Sequence, residues 1–146
     1  MPFTAVDLLT DSGDDLVIDS NGDLKLATER ETLERDTSFR LQTQHFDYGP
    51  SPYIGADLQS LLGEPNTRRT GDLIREHVHI SLTQDNRVPA GVLFVDVVPL
   101  SVESVEVFVI ISDRIGTEVE PSVVTHTLNF LPPLSPPEES ILNFSE

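Results

Sequence analysis

Four histidines are the first residues whose spacing bears on metal or acid-base chemistry. His77 and His79 lie two positions apart. On a helix, residues two apart point in different directions, whereas a metal-binding pair needs a spacing of three or four. We therefore predict no metal site and expect His77 to be a hydrogen-bonded core histidine. His45 and His126 are isolated and indicate no role.

The acidic and nucleophilic residues form no recognisable catalytic motif. No Gly-x-Ser-x-Gly sequence occurs, and spacing assigns no Ser-His-Asp set. Glu64, followed by Pro65 and Asn66, is the one acid that merits attention as a hydrolytic group, but a turn that ends a helix explains it better. The glycines lack the lysine and the strand-to-helix context of a phosphate-binding loop. We expect no enzymatic activity and no cofactor.

The composition is strongly acidic. The chain has 146 residues, with 25 acidic and 9 basic side chains, a formal charge of −16 and no cysteine. Such a charge repels phosphate backbones, and no basic patch is found, so we expect no nucleic-acid partner. The acidity either steers the chain towards a basic protein surface or forms an ordinary solvated face. No apolar stretch approaches the roughly 18 residues of a membrane span, so we expect no membrane partner.

Local signals at the N-terminal end predict a β-hairpin followed by a helix. An Asn-Gly pair lies between the apolar-bearing residues 15–19 and 23–27, which is typical of a hairpin turn. Thr28 and Glu31 have the spacing of a capping box. They predict a helix from about Glu29 to Gln44, with a partly apolar face that lies between a core and another protein. No internal repeat stands out.

The middle of the chain predicts a loop and a second main helix. Glycine and prolines within residues 46–52 mark a defined loop, and a short helix is expected over residues 56–62. The second main helix should begin near Thr67 or Thr70. Residues at spacings of one, three and four form one stripe of this helix, which we expect to be core: Leu73, Ile74, His77, Val78, Ser81 and Leu82.

Three β-branched runs predict a C-terminal antiparallel sheet. Residues 92–98 and 102–111 should form a long hairpin, and residues 122–131 an edge strand. One side of that strand should carry Val123, Thr125, Thr127 and Asn129. The predicted fold is α+β, with an N-terminal β-hairpin, two main helices and a C-terminal antiparallel β-sheet with an open edge.

We expect one domain over residues 1–131, followed by a proline-rich acidic tail over residues 132–146. The prolines of the tail donate no ladder hydrogen bonds and favour extended geometry. The tail also contains Ile141, Leu142 and Phe144. A docking segment and a disordered tail both remain open.

The order of motifs from Arg40 to Arg87 resembles the sheath-initiator family of contractile phage tails, which carries an old lysozyme-like label. The likeness extends over residues 14–112. At the family's Glu-Pro-Arg-Val motif the chain has Asp85-Asn86-Arg87-Val88, so the proline is absent. The other residues that fit the family pattern are Arg40, Leu41, Thr43, Tyr48, Gly49, Leu61, Leu62, Glu64, Pro65 and Asn66.

The resemblance implies a structural baseplate protein that docks on the wedge core and initiates sheath polymerisation. The implied partners are baseplate wedge proteins, the sheath protein, and tail tube or hub proteins, with six copies per baseplate. The implied location is the tail baseplate of the virion, after assembly in the host cytoplasm. Asp85, Asn86 and Arg87 are then expected to bind the wedge core. Alternatively, Arg87 is only a cation favoured at a helix C-terminus.

The resemblance also implies β-strand exchange with the first sheath ring. An open strand edge offers main-chain bonds to such a partner, and we expect the contact at Val123, Thr125, Thr127 and Asn129. The three strands can also simply close a stable sheet, and the sequence leaves open which edge is free. Two alternatives remain: a lysozyme-like cell-wall hydrolase of the tail, or the equivalent initiator of a pyocin-like or secretion-system particle.

Overall fold

A computed structural model describes residues 6–112 and 121–130 of the chain. The fold is α+β, as predicted, with two main helices and a C-terminal antiparallel sheet of order β1-β2-β3. The predicted tail over residues 132–146 lies outside the described residues. The elements are α1 (Glu29–Gln42), α2 (Arg68–Thr83), β1 (Leu93–Pro99), β2 (Ser104–Ile111) and β3 (Ser122–Asn129), with short 3₁₀ turns at Leu58–Leu61 and Ala90–Val92.

Both helices begin at the predicted threonines. The Thr28 hydroxyl accepts the amide of Glu31 at 3.2 Å, and the Glu31 carboxylate accepts the amide of Thr28 at 2.8 Å. That backbone hydrogen bond lowers the pKa of Glu31 below its ordinary range. Thr67 caps α2 by accepting the amide of Thr70. The α1 helix ends two residues before the predicted Gln44 because Thr43 is extended.

The predicted apolar stripe of α2 forms the centre of the core. Ile74 and Val78 are fully buried and Leu82 is 2% exposed. His77 lies beside this stripe, half-buried, with Nδ1 3.0 Å from the carbonyl oxygen of Ala56. The predicted hydrogen bond of His77 is therefore confirmed, but its predicted place in the core is not, because the side chain remains partly exposed.

The sheet covers this core with alternate residues, since successive side chains of a strand point to opposite faces. In β2, every second residue from Val105 to Ile111 is almost completely buried. In β3, Leu128 lies on this inner face and Phe130 follows it into the core. The helices pack against the same face, α1 on β3 and α2 on β1. The predicted alternation of β3 is confirmed, and the outer set is Val123, Thr125, Thr127 and Asn129.

Residues 7–27 form a pseudo-threefold closed unit, which we call the N-terminal prism. The amide of Leu9 donates to Lys25, the amide of Lys25 to Val17, and the amide of Val17 to Leu9, at 2.8–3.1 Å. A second ring of amides follows the same symmetry, from Asp11 to Asp15, Asp19 to Asp23 and Ala27 to Asp7. Each side of the prism also contains one antiparallel bridge.

The expectation that the chain has no internal repeat is wrong, because the three segments of the prism are a repeat. An Asp-Leu pair recurs every eight residues, at positions 7, 15 and 23. The predicted hairpin turn does occur, with the amide of Asp19 bonded to the carbonyl of Asp23 at 2.8 Å. Its arms meet through a single bridge, Ile18 to Leu24, because each arm turns away to pair with a third segment.

The turn at residues 61–66 joins the helical layer to one end of the sheet. The amide of Gly63 donates to the carbonyl of Phe130 at 3.1 Å, and the Asn66 side chain donates to the carbonyl of Ser101 at 2.6 Å. The Pro65 carbonyl accepts the hydroxyl of Thr70 at 2.6 Å. Residues of this turn therefore position the sheet relative to the helices.

Replacing Gly55 by alanine should destabilise the protein. A Cβ at Gly55 would overlap the backbone carbonyl of Thr43, which is fixed at the end of α1. We expect a loss of about 2–3 kcal/mol in the free energy of unfolding, the usual cost of overpacking. Gly91→Ala is the matched control, since its Cβ would meet nothing within 4 Å. Equal denaturation midpoints for the two variants would contradict the expected clash.

His126 should make the protein less stable in mild acid. Burial on the inner face lowers the pKa of His126 below 6.5. Below pH 6.5 the His126 imidazole therefore binds a proton more readily in the unfolded chain than in the folded one. The contribution of the neutral His126 to the free energy of unfolding is complete above that pH and decreases as the pH falls. Wild type should lose more unfolding free energy than His126→Gln in acid. Chemical denaturation of both proteins from about pH 7.5 to about pH 5 measures this difference, and parallel profiles would exclude it.

Candidate partner-binding site

Arg40 connects the end of α1 to the end of α2. Arg40 is 8% exposed, and its side chain donates to the carbonyl of Ser81 at 2.7 Å and forms an ion pair with Asp85. A guanidinium is too costly to bury without such partners. Arg40 therefore fixes the end of α1 against the end of α2.

Asp85 and Arg87 extend this contact into a network that we call the arginine corner, made of Asp36, Arg40, Asp85 and Arg87. The Arg87 guanidinium is 2.8 Å from Asp36 and 3.5 Å from Asp85. Burial raises the pKa of Asp85, but hydrogen bonds from Arg40 and from the Arg87 amide, with both guanidinium charges, lower it overall. The carboxylate of Asp85 thus remains charged and orients both arginines.

Asn86 has a backbone conformation that proline cannot adopt. Its φ is +59°, and its amide donates to the carbonyl of Thr83 at 3.0 Å. Proline has no amide and is restricted to φ near −65°, so it cannot adopt this conformation. Asn86 holds Asp85 and Arg87 on either side of a tight turn at the end of α2.

A groove opens beside the arginine corner. Its volume is about 310 Å³, and its apolar lining includes Phe39, Tyr48 and Ile54 together with Thr43. Phe39 and Tyr48 are each about half exposed. An apolar groove that contains an arginine fork is suited to a protein partner, since aromatic and arginine residues are enriched at interfaces.

The loop over residues 44–57 exposes aromatic side chains, and one of them, Tyr48, lines this groove. The amide of Ala56 donates to the carbonyl of Arg40 at 2.8 Å, and the Ser81 hydroxyl donates to the carbonyl of Ile54 at 3.1 Å. Both helices therefore hold the loop backbone in place. The exposed aromatic residues of this loop are Phe46, Tyr48 and Tyr53.

The backbone of β3 has alternate groups that face away from β2. In an antiparallel ladder, alternate residue pairs exchange both main-chain bonds. The bond from the Phe130 amide to the Glu103 carbonyl, at 2.7 Å, continues the β2–β3 ladder and shows that even-numbered residues of β3 face β2. The amides and carbonyls that face outward thus belong to Val123, Thr125, Thr127 and Asn129.

The outer edge of β1 differs because side chains already occupy part of it. The Ser112 amide donates to the Val92 carbonyl at 2.9 Å, which continues the β1–β2 ladder and gives Val97 an outward-facing amide. The Asp96 carboxylate accepts that amide at 2.9 Å and lies 3.3 Å from the Arg75 guanidinium. Charged side chains at a strand edge disfavour pairing with a further strand. Of the two edges, β3 is the better acceptor for a strand.

The sequence reasoning missed an apolar row on the outer face of the sheet. Phe94, Ile110 and Val123 lie opposite one another across the three strands. Phe94 and Val123 are at least half exposed. The signal for such a face is that apolar residues occur at both the odd-numbered and the even-numbered positions of the first predicted strand, so both faces of the strand carry apolar side chains.

The residue considered for hydrolysis is not part of the arginine corner or its groove. Glu64 is exposed in the turn after the first 3₁₀ segment, where its amide donates to Leu61. In residues 6–112 and 121–130, no group of three or more metal-ligating side chains is arranged to hold an ion. No helix in the described part of the chain is long and apolar enough to cross a bilayer.

The chain matches no family model, no curated protein and no solved structure.

Substitution of the two arginines should separate the buried contact from the exposed one. Arg40→Met should cost about 3 kcal/mol of unfolding free energy, because it breaks a buried charged contact. Arg87→Met should cost less than about 1 kcal/mol, since its side chain is 50% exposed. Urea denaturation measures both values. Similar costs for the two variants would show that Arg40 does not connect the helices as described.

Proposed function

We propose that this chain is a structural baseplate protein of a contractile phage tail, which docks on the wedge core and initiates sheath polymerisation. It does so by β-strand exchange with the first sheath ring. Its partners are wedge proteins, the sheath protein, and tail tube or hub proteins. The chain itself is present in six copies per baseplate. It belongs to the virion baseplate and assembles in the host cytoplasm. The observation that carries this proposal is the β3 edge, whose outward main-chain groups can pair with a partner strand.

The β3 edge supports strand addition in preference to withdrawal of β3 itself. Leu128 and Phe130 are part of the core, and the buried Ser122 hydroxyl donates to Glu34 of α1 at 2.9 Å. Removing β3 would expose these residues. A sheath strand therefore adds alongside β3, where main-chain bonds supply affinity and alternate side chains set the register.

The arginine corner is the proposed wedge-binding surface. Arg87 is half exposed, and its ion pair with Asp36 is of a kind that contributes little in water. A wedge carboxylate can take the place of Asp36, because the guanidinium offers several donors in a planar fork. Asp85 and Asn86 hold Arg87 at the mouth of the apolar groove.

Thr125→Pro tests the β3 edge. The Thr125 amide faces outward, so proline removes a group offered to the sheath strand while every bond to β2 remains. We expect the variant to fold and to bind the baseplate but to seed little or no sheath. Thr125→Val keeps the amide and should seed normally. Sheath assembly on purified baseplates, followed by electron microscopy, measures seeding, and normal seeding by Thr125→Pro would exclude the β3 edge.

Omission of the chain tests the proposed function as a whole. Baseplates assembled without it should carry no sheath when purified sheath protein is added, and adding the purified chain should restore ordered sheath. Tail tubes of normal length in the same preparations serve as the control for particle integrity. Sheath that assembles equally well without the chain would show that the proposal is wrong.

A further inference from the structure

The N-terminal prism has no buried side chain of its own. Its three segments are held together by the two rings of main-chain bonds, and no residue between positions 7 and 27 is buried. Four large aliphatic side chains are about half exposed or more. They are Leu16, Ile18, Leu24 and Leu26. Grouped exposed apolar residues usually mark an interaction site.

The prism is fixed to the rest of the protein as a preformed surface. Arg35 of α1 donates to the carbonyl of Leu8 at 2.7 Å and forms an ion pair with Asp7. Ile18 and Leu24 face each other across a bridge, and so do Leu8 and Leu26. A surface held in this way loses little conformational entropy when a partner binds.

The charges around the aliphatic residues define the chemistry of the partner. The prism contains one basic residue, Lys25, and its acidic residues are Asp7, Asp11, Asp14, Asp15, Asp19 and Asp23. The carboxylates of Asp11 and Asp19 each accept two backbone amides, which fixes their direction. Fixed acids around an apolar strip complement an apolar seat rimmed by lysine and arginine.

The same charges disfavour a second copy of the chain and its C-terminal segment as occupants. A second copy brings another formal charge of −16, which repels the aspartates of the prism. The charged residues of the C-terminal segment 131–146 are all acidic: Glu138, Glu139 and Glu146. Both occupants would place like charges against the prism.

We propose that the N-terminal prism is a second docking surface, which binds a basic baseplate component through an apolar seat rimmed by lysine and arginine. This inference rests on the proposed function, because its partner belongs to the same particle. The prism and the arginine corner then attach the chain at two separate points. Two linked contacts bind more tightly than either contact alone.

The test adds purified chain to baseplates assembled without it and measures binding by co-sedimentation. Ile18→Ser combined with Leu26→Ser should weaken the apparent Kd by about tenfold or more, since it removes the aliphatic contact. Val102→Ser is the matched control, because Val102 is 87% exposed but lies between β1 and β2. Wild-type binding should also weaken between about 50 and about 300 mM salt.

A second variant covers the case in which the double serine variant folds poorly. Asp14→Asn combined with Asp23→Asn leaves the aliphatic residues in place and should still weaken binding and its salt dependence. Unchanged binding by the well-folded prism variants, or an equal loss with Val102→Ser, would overturn the inference. So would a dimer in light scattering that the serine substitutions abolish.

The outcome for the prism is separable from the outcome for the proposed function. If the prism variants bind as wild type does and still seed sheath, the prism inference is wrong and the proposed function stands. If wild-type chain neither binds the particles nor restores sheath, both are wrong. If Arg87→Met and the prism variants each weaken binding while wild type seeds sheath, both are supported.

Discussion

The buried guanidinium of Arg40 is the contact on which the arrangement of the helices depends. Its desolvation is offset only where the Ser81 carbonyl and the Asp85 carboxylate both reach it, so α1 and α2 must meet at their C-terminal ends. The Arg40 carbonyl also accepts the Ala56 amide. The same residue therefore positions the aromatic loop over residues 44–57.

Helix α1 depends on polar contacts to an unusual degree. Among its buried residues only Leu33 and Leu41 are apolar, so a hydrophobic stripe alone cannot orient it. Polar side chains instead connect α1 to its neighbours. Arg35 contacts the prism, Glu34 contacts the start of β3, and Arg40 contacts the end of α2. One helix thus sets the relative positions of the three proposed docking surfaces.

The two edges of the sheet are chemically unequal although their strands have similar length. Asp96 and Arg75 occupy part of the β1 edge with charged side chains. The corresponding residues of β3 are neutral, and their main-chain groups alternate between the β2 ladder and the outer edge. This asymmetry gives a physical reason for a partner strand to choose β3, because affinity comes from main-chain bonds and charges at an edge oppose them.

The sequence by itself determined the features that neighbouring residues encode: the capped starts of both helices, the apolar stripe of α2 and the alternation of β3. Only the tertiary structure decided the contacts that join distant segments. Arg40 and Asp85 are 45 positions apart, and nothing local indicates that they pair. The prism closes through main-chain bonds between its three segments, so the closure does not follow from the eight-residue Asp-Leu repeat that the sequence contains. Which main-chain groups of β3 face away from β2 is likewise decided by the ladder. The pattern of a strand shows which side chains share a face, but not which amides face the neighbouring strand.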